Sequence, residues 1–327
     1  MLKLLGRFGP LGTLLLYLLN WLLKLKYVLY PDIQLAPFNN NEVGLFYFPS
    51  IYNYALAHPQ LYTILSIHAL FFMALVINYF WMIEKLSSKN SLLPGLSIVI
   101  ISSLLPSGFL LSLYYFIALL LIVALRLIFS TNIQQGANSR LFRAGVLMGC
   151  IVMMKPIFVI VALSLLIVIA IIKAIDGRSI LAYFFGCIIP IYLFFGIVWI
   201  LSPALLPKIG NFQFALPKKV PSPESLMLSF VAIIWFSIHG YFLKQSRSEI
   251  GGIQIIKKWM SLRIVWIALF ITAIFGVILP TFSFFIWLLF SALLIFQSFN
   301  MVLNKKWANF TLVFLILVIL INEWVFL

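Results

Sequence analysis

Acidic residues are scarce in this chain, with seven Asp and Glu against 22 Lys and Arg among 327 residues, and it has three His and two Cys. A soluble domain carries about 25% charged residues and about half apolar ones; here 9% are charged and 64% apolar. No soluble globule hides that much apolar surface. The two cysteines, Cys150 and Cys187, lie in apolar stretches, which argues against a disulfide framework or a thiolate metal site. The histidines show no zinc or iron spacing. There is no Walker loop, nucleophile elbow or HExxH motif. Carboxylates inside apolar runs, the usual coupling groups of ion-driven transporters, are almost absent. The net charge of +15 comes without a basic nucleic-acid module, so no nucleic-acid partner is expected.

What is present is a succession of apolar runs. A span of about 30 Å of hydrocarbon needs roughly 17 to 25 residues, and runs near that length fall at 10–29, 60–83, 91–106, 108–128, 141–154, 156–174, 179–202, 224–243, 261–279, 281–303 and 307–326. The third and fifth are short. Backbone polar groups in lipid must be satisfied within each helix. The expected fold is therefore all-α: a polytopic transmembrane helix bundle of about 10–11 helices, one integral membrane domain over 1–327, with the lipid bilayer as its first partner. Lys3 and Arg7 ahead of a leucine-rich run imitate a signal peptide, but no small-residue cleavage site follows, so a retained first helix is expected.

With eleven spans and a cytoplasmic N-terminus, 16 basic residues fall inside and six outside. The bias of Lys and Arg toward cytoplasmic loops favours this orientation and a bacterial inner-membrane location. The pattern also requires the chain to reverse at Lys155-Pro156, where proline interrupts the helical ladder. Outer loops are expected at 30–59 and 203–223, and a basic cytoplasmic loop at 244–263. Trp81, Trp199, Trp259, Trp307 and Trp324 fall near helix ends, as in an aromatic belt. Gly145 and Gly149 form a GxxxG, which lets helices approach closely. His68 and His239 read as buried packing residues.

Four residues are candidates for chemistry. Asp32, beyond the first span in an aromatic loop, is the candidate catalytic residue: its carboxylate could take a proton from a sugar hydroxyl or hold a divalent cation. Its plainer role is a turn residue. Lys155, Glu42 and His58 are candidate ligand-binding residues. Lys155 could meet a lipid phosphate or simply snorkel at a turn, and His58 could join an outer polar site or stand isolated at the interface. No metal site is expected beyond that conditional cation, and no cofactor. Glu84, Asp176 and Glu249 read as turn residues beside Lys or Arg.

Leu75-Val76-Ile77-Asn78, Ser87-Ser88-Lys89-Asn90 and Leu105-Pro106-Ser107-Gly108, continued by Arg126, Arg143, Gly149, Lys155-Pro156 and Asp176-Gly177-Arg178, resemble an uncharacterised family of multi-pass inner-membrane proteins from Bacteroidota. The loop 30–59, the tip Pro106-Ser107-Gly108 and the break at Gly145, Gly149, Lys155 and Pro156 also resemble the transmembrane module of the GT-C glycosyltransferases. That second resemblance implies a membrane-embedded transferase using a polyprenyl-phosphate-linked sugar at the outer face. The chain departs from it in the first loop, where the family usually carries paired carboxylates and this sequence has Asp32 and the distant Glu42. The alternatives are a non-catalytic membrane subunit with an envelope protein partner and, below it, a transporter or flippase.

Overall fold

The computed structural model describes residues 9–29, 57–86, 92–103, 113–132, 137–173, 176–201, 252–278, 313–314 and 316–321. Every regular element among them is helical: α1 (Pro10–Leu22), α2 (Leu25–Leu29), α3 (Pro59–Ile83), α4 (Leu93–Ser103), α5 (Leu113–Phe129), α6 (Ala137–Met154), α7 (Val159–Ile172), α8 (Gly177–Leu201) and α9 (Ile253–Ile278), with 3₁₀ turns at Ser130–Asn132 and Pro156–Phe158. Among the described residues two helices, Pro59–Ile83 and Gly177–Ile197, are long and apolar enough to cross a membrane, and Pro10–Leu22, Tyr115–Phe129 and Pro156–Ile172 are shorter apolar helices. The expected spans 224–243 and 281–303 lie outside the described residues, as does most of 307–326.

Two boundaries differ from expectation. The first run is not one helix: residues 23–24 form a turn in which the Lys24 N–H donates to the Trp21 carbonyl, one residue tighter than the α-helical bond. The run expected from 261 starts at Ile253, so its first turns carry Lys257, Lys258 and Arg263 on helix rather than in a cytoplasmic loop.

Contacts at helix ends fix the directions of the helices. Asn20 reaches the Ile67 carbonyl and Tyr17 packs on Phe71, so α1 and α3 are antiparallel. The C-terminal ends of α3 and α5 meet where Phe80 stacks on Phe129 at 6.1 Å. Arg140, near the start of α6, donates to the Ser130 carbonyl just past α5. Ser179 at the start of α8 joins Lys173 after α7 to Asn138 at the start of α6. The N-terminal turns of α9 meet the end of α3 through Lys258 and Glu84. One end of the bundle, the proximal end, therefore gathers the starts of α1, α6, α8 and α9 and the ends of α3, α5 and α7. Lys155 and Pro156 lie at the other, distal end, where α6 and α7 form a hairpin. The Lys155 backbone is extended, as a residue before proline tends to be, and its N–H closes the last turn on Ile151.

The core is aliphatic and aromatic, with Leu16, Ile67, Leu70, Leu121, Leu125, Phe129, Met148, Phe158, Leu165 and Val265 fully buried. Its tightest seam joins α6 and α8. Side-chain carbons built on Gly145 and Gly149 would run into the Tyr183 and Cys187 carbonyls, and one on Gly186 into the Phe142 carbonyl. The glycines thus seat the helices backbone to backbone, in parallel. Trp81 and Trp259 depart from the expected belt: each is buried, and their rings meet edge to face at 5.1 Å. Trp199 is 68% exposed.

Apolar faces are also exposed among the described residues. Leu11, Leu14, Leu18 and Leu22 recur at helical spacing along α1, are continued by Leu25 and Leu29 on α2, and are all at least half exposed. On α8 the same is true of Leu181, Phe184, Phe185, Tyr192, Leu193 and Ile197.

Candidate functional site

Two lysines at the distal side of the bundle are buried. Lys24, at the turn between α1 and α2, has no exposed surface. Its Nζ donates to Asn20 Oδ1 at 3.0 Å and to Ser103 Oγ at 2.7 Å. Asn20 Nδ2 donates to the Ile67 carbonyl at 2.9 Å, and Ser103 Oγ to the Val99 carbonyl at 2.8 Å. The chain of bonds ties α1, α3 and α4 together around one ammonium. A buried charge is tolerated only with oxygen acceptors about it. Lys24 is not among the candidate residues that the sequence singles out. The readable signal is Asn20 one turn before Lys24 in an apolar run, a spacing that puts both on one helix face.

Lys155 is 1% exposed at the α6–α7 reversal, beside fully buried Phe158. Its side chain is thus enclosed by the protein rather than extended to solvent. Lys24 and Lys155 share an end of the bundle but belong to different helix groups, α1–α3–α4 and α6–α7. His58, exposed, is the N-cap residue of α3, and its carbonyl accepts from Tyr62 N–H. Asp32 and Glu42 lie outside the described residues.

His68 is exposed rather than buried. Its Nδ1 lies 2.8 Å from the Ile64 carbonyl, an acceptor only, so Nδ1 carries the proton and Nε2 accepts from Tyr17 O–H at 3.1 Å. That bond fastens α1 to α3.

The proximal end holds the two carboxylates found among the described residues. Glu84 is no ordinary turn residue: it is buried and forms an ion pair of 2.8 Å with Lys258, which also donates to the Glu84 carbonyl and lies over the Phe129 ring. The partners are 174 residues apart, so no local pattern announces them. Asp176 caps α8 by accepting the Ser179 N–H and pairs with Lys173. The bonds from Ser179, then Lys173, hold its carboxyl down at about 2. Asn78 on α3 caps α4 from outside, its Oδ1 accepting the Gly95 N–H at 2.7 Å.

Among the described residues no group of three or more His, Cys, Asp or Glu side chains comes together to hold a metal ion. The chain matches no protein-family model, no curated protein and no solved structure.

Proposed function

We propose that this chain is a multi-pass protein of the bacterial inner membrane, proximal end in the cytoplasm, whose distal end handles a polyprenyl-phosphate-linked sugar in the manner of a GT-C-like transferase. The membrane reading is supported by the exposed leucine and aromatic stripes of α1 and α8, since extended exposed apolar faces mark membrane or protein interaction surfaces. The orientation is supported by charge. Lys85, Arg126, Arg140, Arg143, Lys173, Arg178, Lys257, Lys258 and Arg263 belong to the proximal half, and Lys24, Lys26 and Lys155 to the distal one, a split of nine to three among the described residues.

The observation that carries the ligand reading is the burial of Lys24 and Lys155 on the distal side. Ammonium groups held away from water favour strong oxygen acceptors, and a lipid phosphate is the strongest a membrane substrate offers. Lys155 is the phosphate contact in this scheme. Lys24 stiffens the framework beside it, and Asp32, three residues past α2 in sequence, is the base or cation ligand. An ion-driven transporter is less well supported, because both described carboxylates sit at the proximal end. A non-catalytic envelope subunit remains the second reading, favoured by the broad exposed aromatic face of α8.

The test is binding of a polyprenyl-phosphate sugar by the purified chain in lipid nanodiscs, compared among wild type, Asp32→Asn and Lys155→Ala. Binding that both substitutions weaken with helicity retained supports the transferase. Absence of binding by folded wild type transfers the weight to the subunit reading.

A further inference from the structure

We propose that the exposed face shared by α3 and α5 near the proximal end binds an anionic phospholipid, with Arg126 taking its phosphate; the inference rests on the membrane reading above. Arg126 is exposed, and its guanidinium carbon stands 6.0 Å from the centroid of the Tyr79 ring, itself 52% exposed. The two helices run parallel here, since their C-terminal ends meet at Phe80 and Phe129. Phe72 lies two turns before Tyr79 on the same side of α3, and Val123 and Phe116 are exposed on α5 ahead of Arg126. A cation is thereby set at the end of an aromatic and aliphatic track that runs along the helices toward the bundle's middle.

Depth and charge both suit a lipid head group. Arg126 is three residues from the end of α5 at Phe129, about 4.5 Å along the axis, so its long side chain reaches the phosphate layer while its stem stays in hydrocarbon. The Arg140 bond to Ser130 sets the register of α6 against α5 and places Arg143, also exposed, at about the same level. Competing carboxylates among the described residues are already engaged: Glu84 by Lys258 and Asp176 by Ser179 and Lys173. A guanidinium forms two parallel bonds to phosphate oxygens, which a zwitterionic lipid offers less favourably because its own cation competes.

The experiment uses the full chain in nanodiscs of mixed phosphatidylglycerol and phosphatidylcholine, extracted and weighed by native mass spectrometry with lipid still bound. Wild type is expected to retain phosphatidylglycerol preferentially. Arg126→Gln should cut that retention about fivefold, Arg126→Lys should fall between, and Arg178→Gln, at the start of α8, should leave it unchanged. Equal retention of the two lipids by wild type that resists alkaline extraction from membranes overturns the site and leaves the membrane reading standing. An equal loss in Arg178→Gln also overturns it, since the attraction would then be diffuse. Release of the chain by alkaline extraction overturns both.

Discussion

The α6–α8 seam gives the sharpest quantitative expectation. Gly145→Ala places a methyl against the Tyr183 carbonyl and within 3.0 Å of the Gly186 Cα; Gly186→Ala places one against the Phe142 carbonyl and within 3.0 Å of the Gly145 Cα. All these obstacles are backbone, which cannot swing aside as a side chain would. The helices must separate, and a gap of 0.5–1 Å forfeits about a quarter to a half of each ~0.1–0.2 kcal/mol atom-pair attraction. Over the few tens of pairs in a two-turn crossing the loss is about 1–2 kcal/mol, inside the roughly 1–3 kcal/mol range of overpacked cores. Gly196, on the same helix, has nothing within 4 Å of its would-be methyl. Gly196→Ala should instead stabilise by up to about 1 kcal/mol through helix propensity. Unfolding with sodium dodecyl sulfate in mixed micelles, followed by circular dichroism, reads all three. Because Gly145 and Gly186 face each other, the double variant should cost less than the sum of the singles. Additive costs, or a Gly196→Ala variant as unstable as Gly186→Ala, would refute the backbone-contact argument.

Three further outcomes follow from the proximal end. A double-mutant cycle of Glu84→Gln and Lys258→Met should give a coupling above about 1 kcal/mol, as for contacting, largely desolvated charges; a coupling near zero would show that the pair contributes nothing. Lys85 has φ of 51°, so Lys85→Gly should raise the unfolding midpoint and Lys85→Val lower it, a β-branched residue fitting that conformation worst; a reversed order would refute the left-handed backbone at this position. Asp176 has its carboxyl lowered from 3.8 to about 2 in the folded chain, so its contribution is complete above the unfolded value and is lost as pH falls toward 2. The acid limb of wild-type stability should therefore be shallower in Asp176→Ala; identical acid limbs would remove Asp176 from the cap.

What could be read from the sequence divides along the range of the interactions. Helical content, the reversal at Lys155-Pro156 and the close packing at Gly145 and Gly149 follow from composition, a proline and a four-residue spacing, all properties of neighbours in the chain. Positions whose environment is set by distant partners do not show it in the sequence: Glu84 by way of Lys258, Trp81 by way of Trp259, and Lys24 by way of Ser103. Each of these is a polar or amphipathic residue near a helix end, where a sequence alone suggests the interface. His68 departs in the opposite sense: its mid-run position suggests burial, yet it is exposed on the α1–α3 edge with Tyr17 as its partner. In an apolar chain the mean hydropathy of a helix cannot separate a face turned to lipid from one turned to protein, because both are oily. Polar side chains carry that information instead. In α1 and α2 the exposed stripe of Leu11, Leu14, Leu18, Leu22, Leu25 and Leu29 lies opposite Asn20 and Lys24, and those two residues turn toward α3 and α4. The few hydrophilic residues inside the apolar runs are thus what orients each helix. Lys24 does this for the first helix pair through Asn20 and Ser103, whereas Lys155, buried at the α6–α7 reversal, is the group on which the ligand proposal depends.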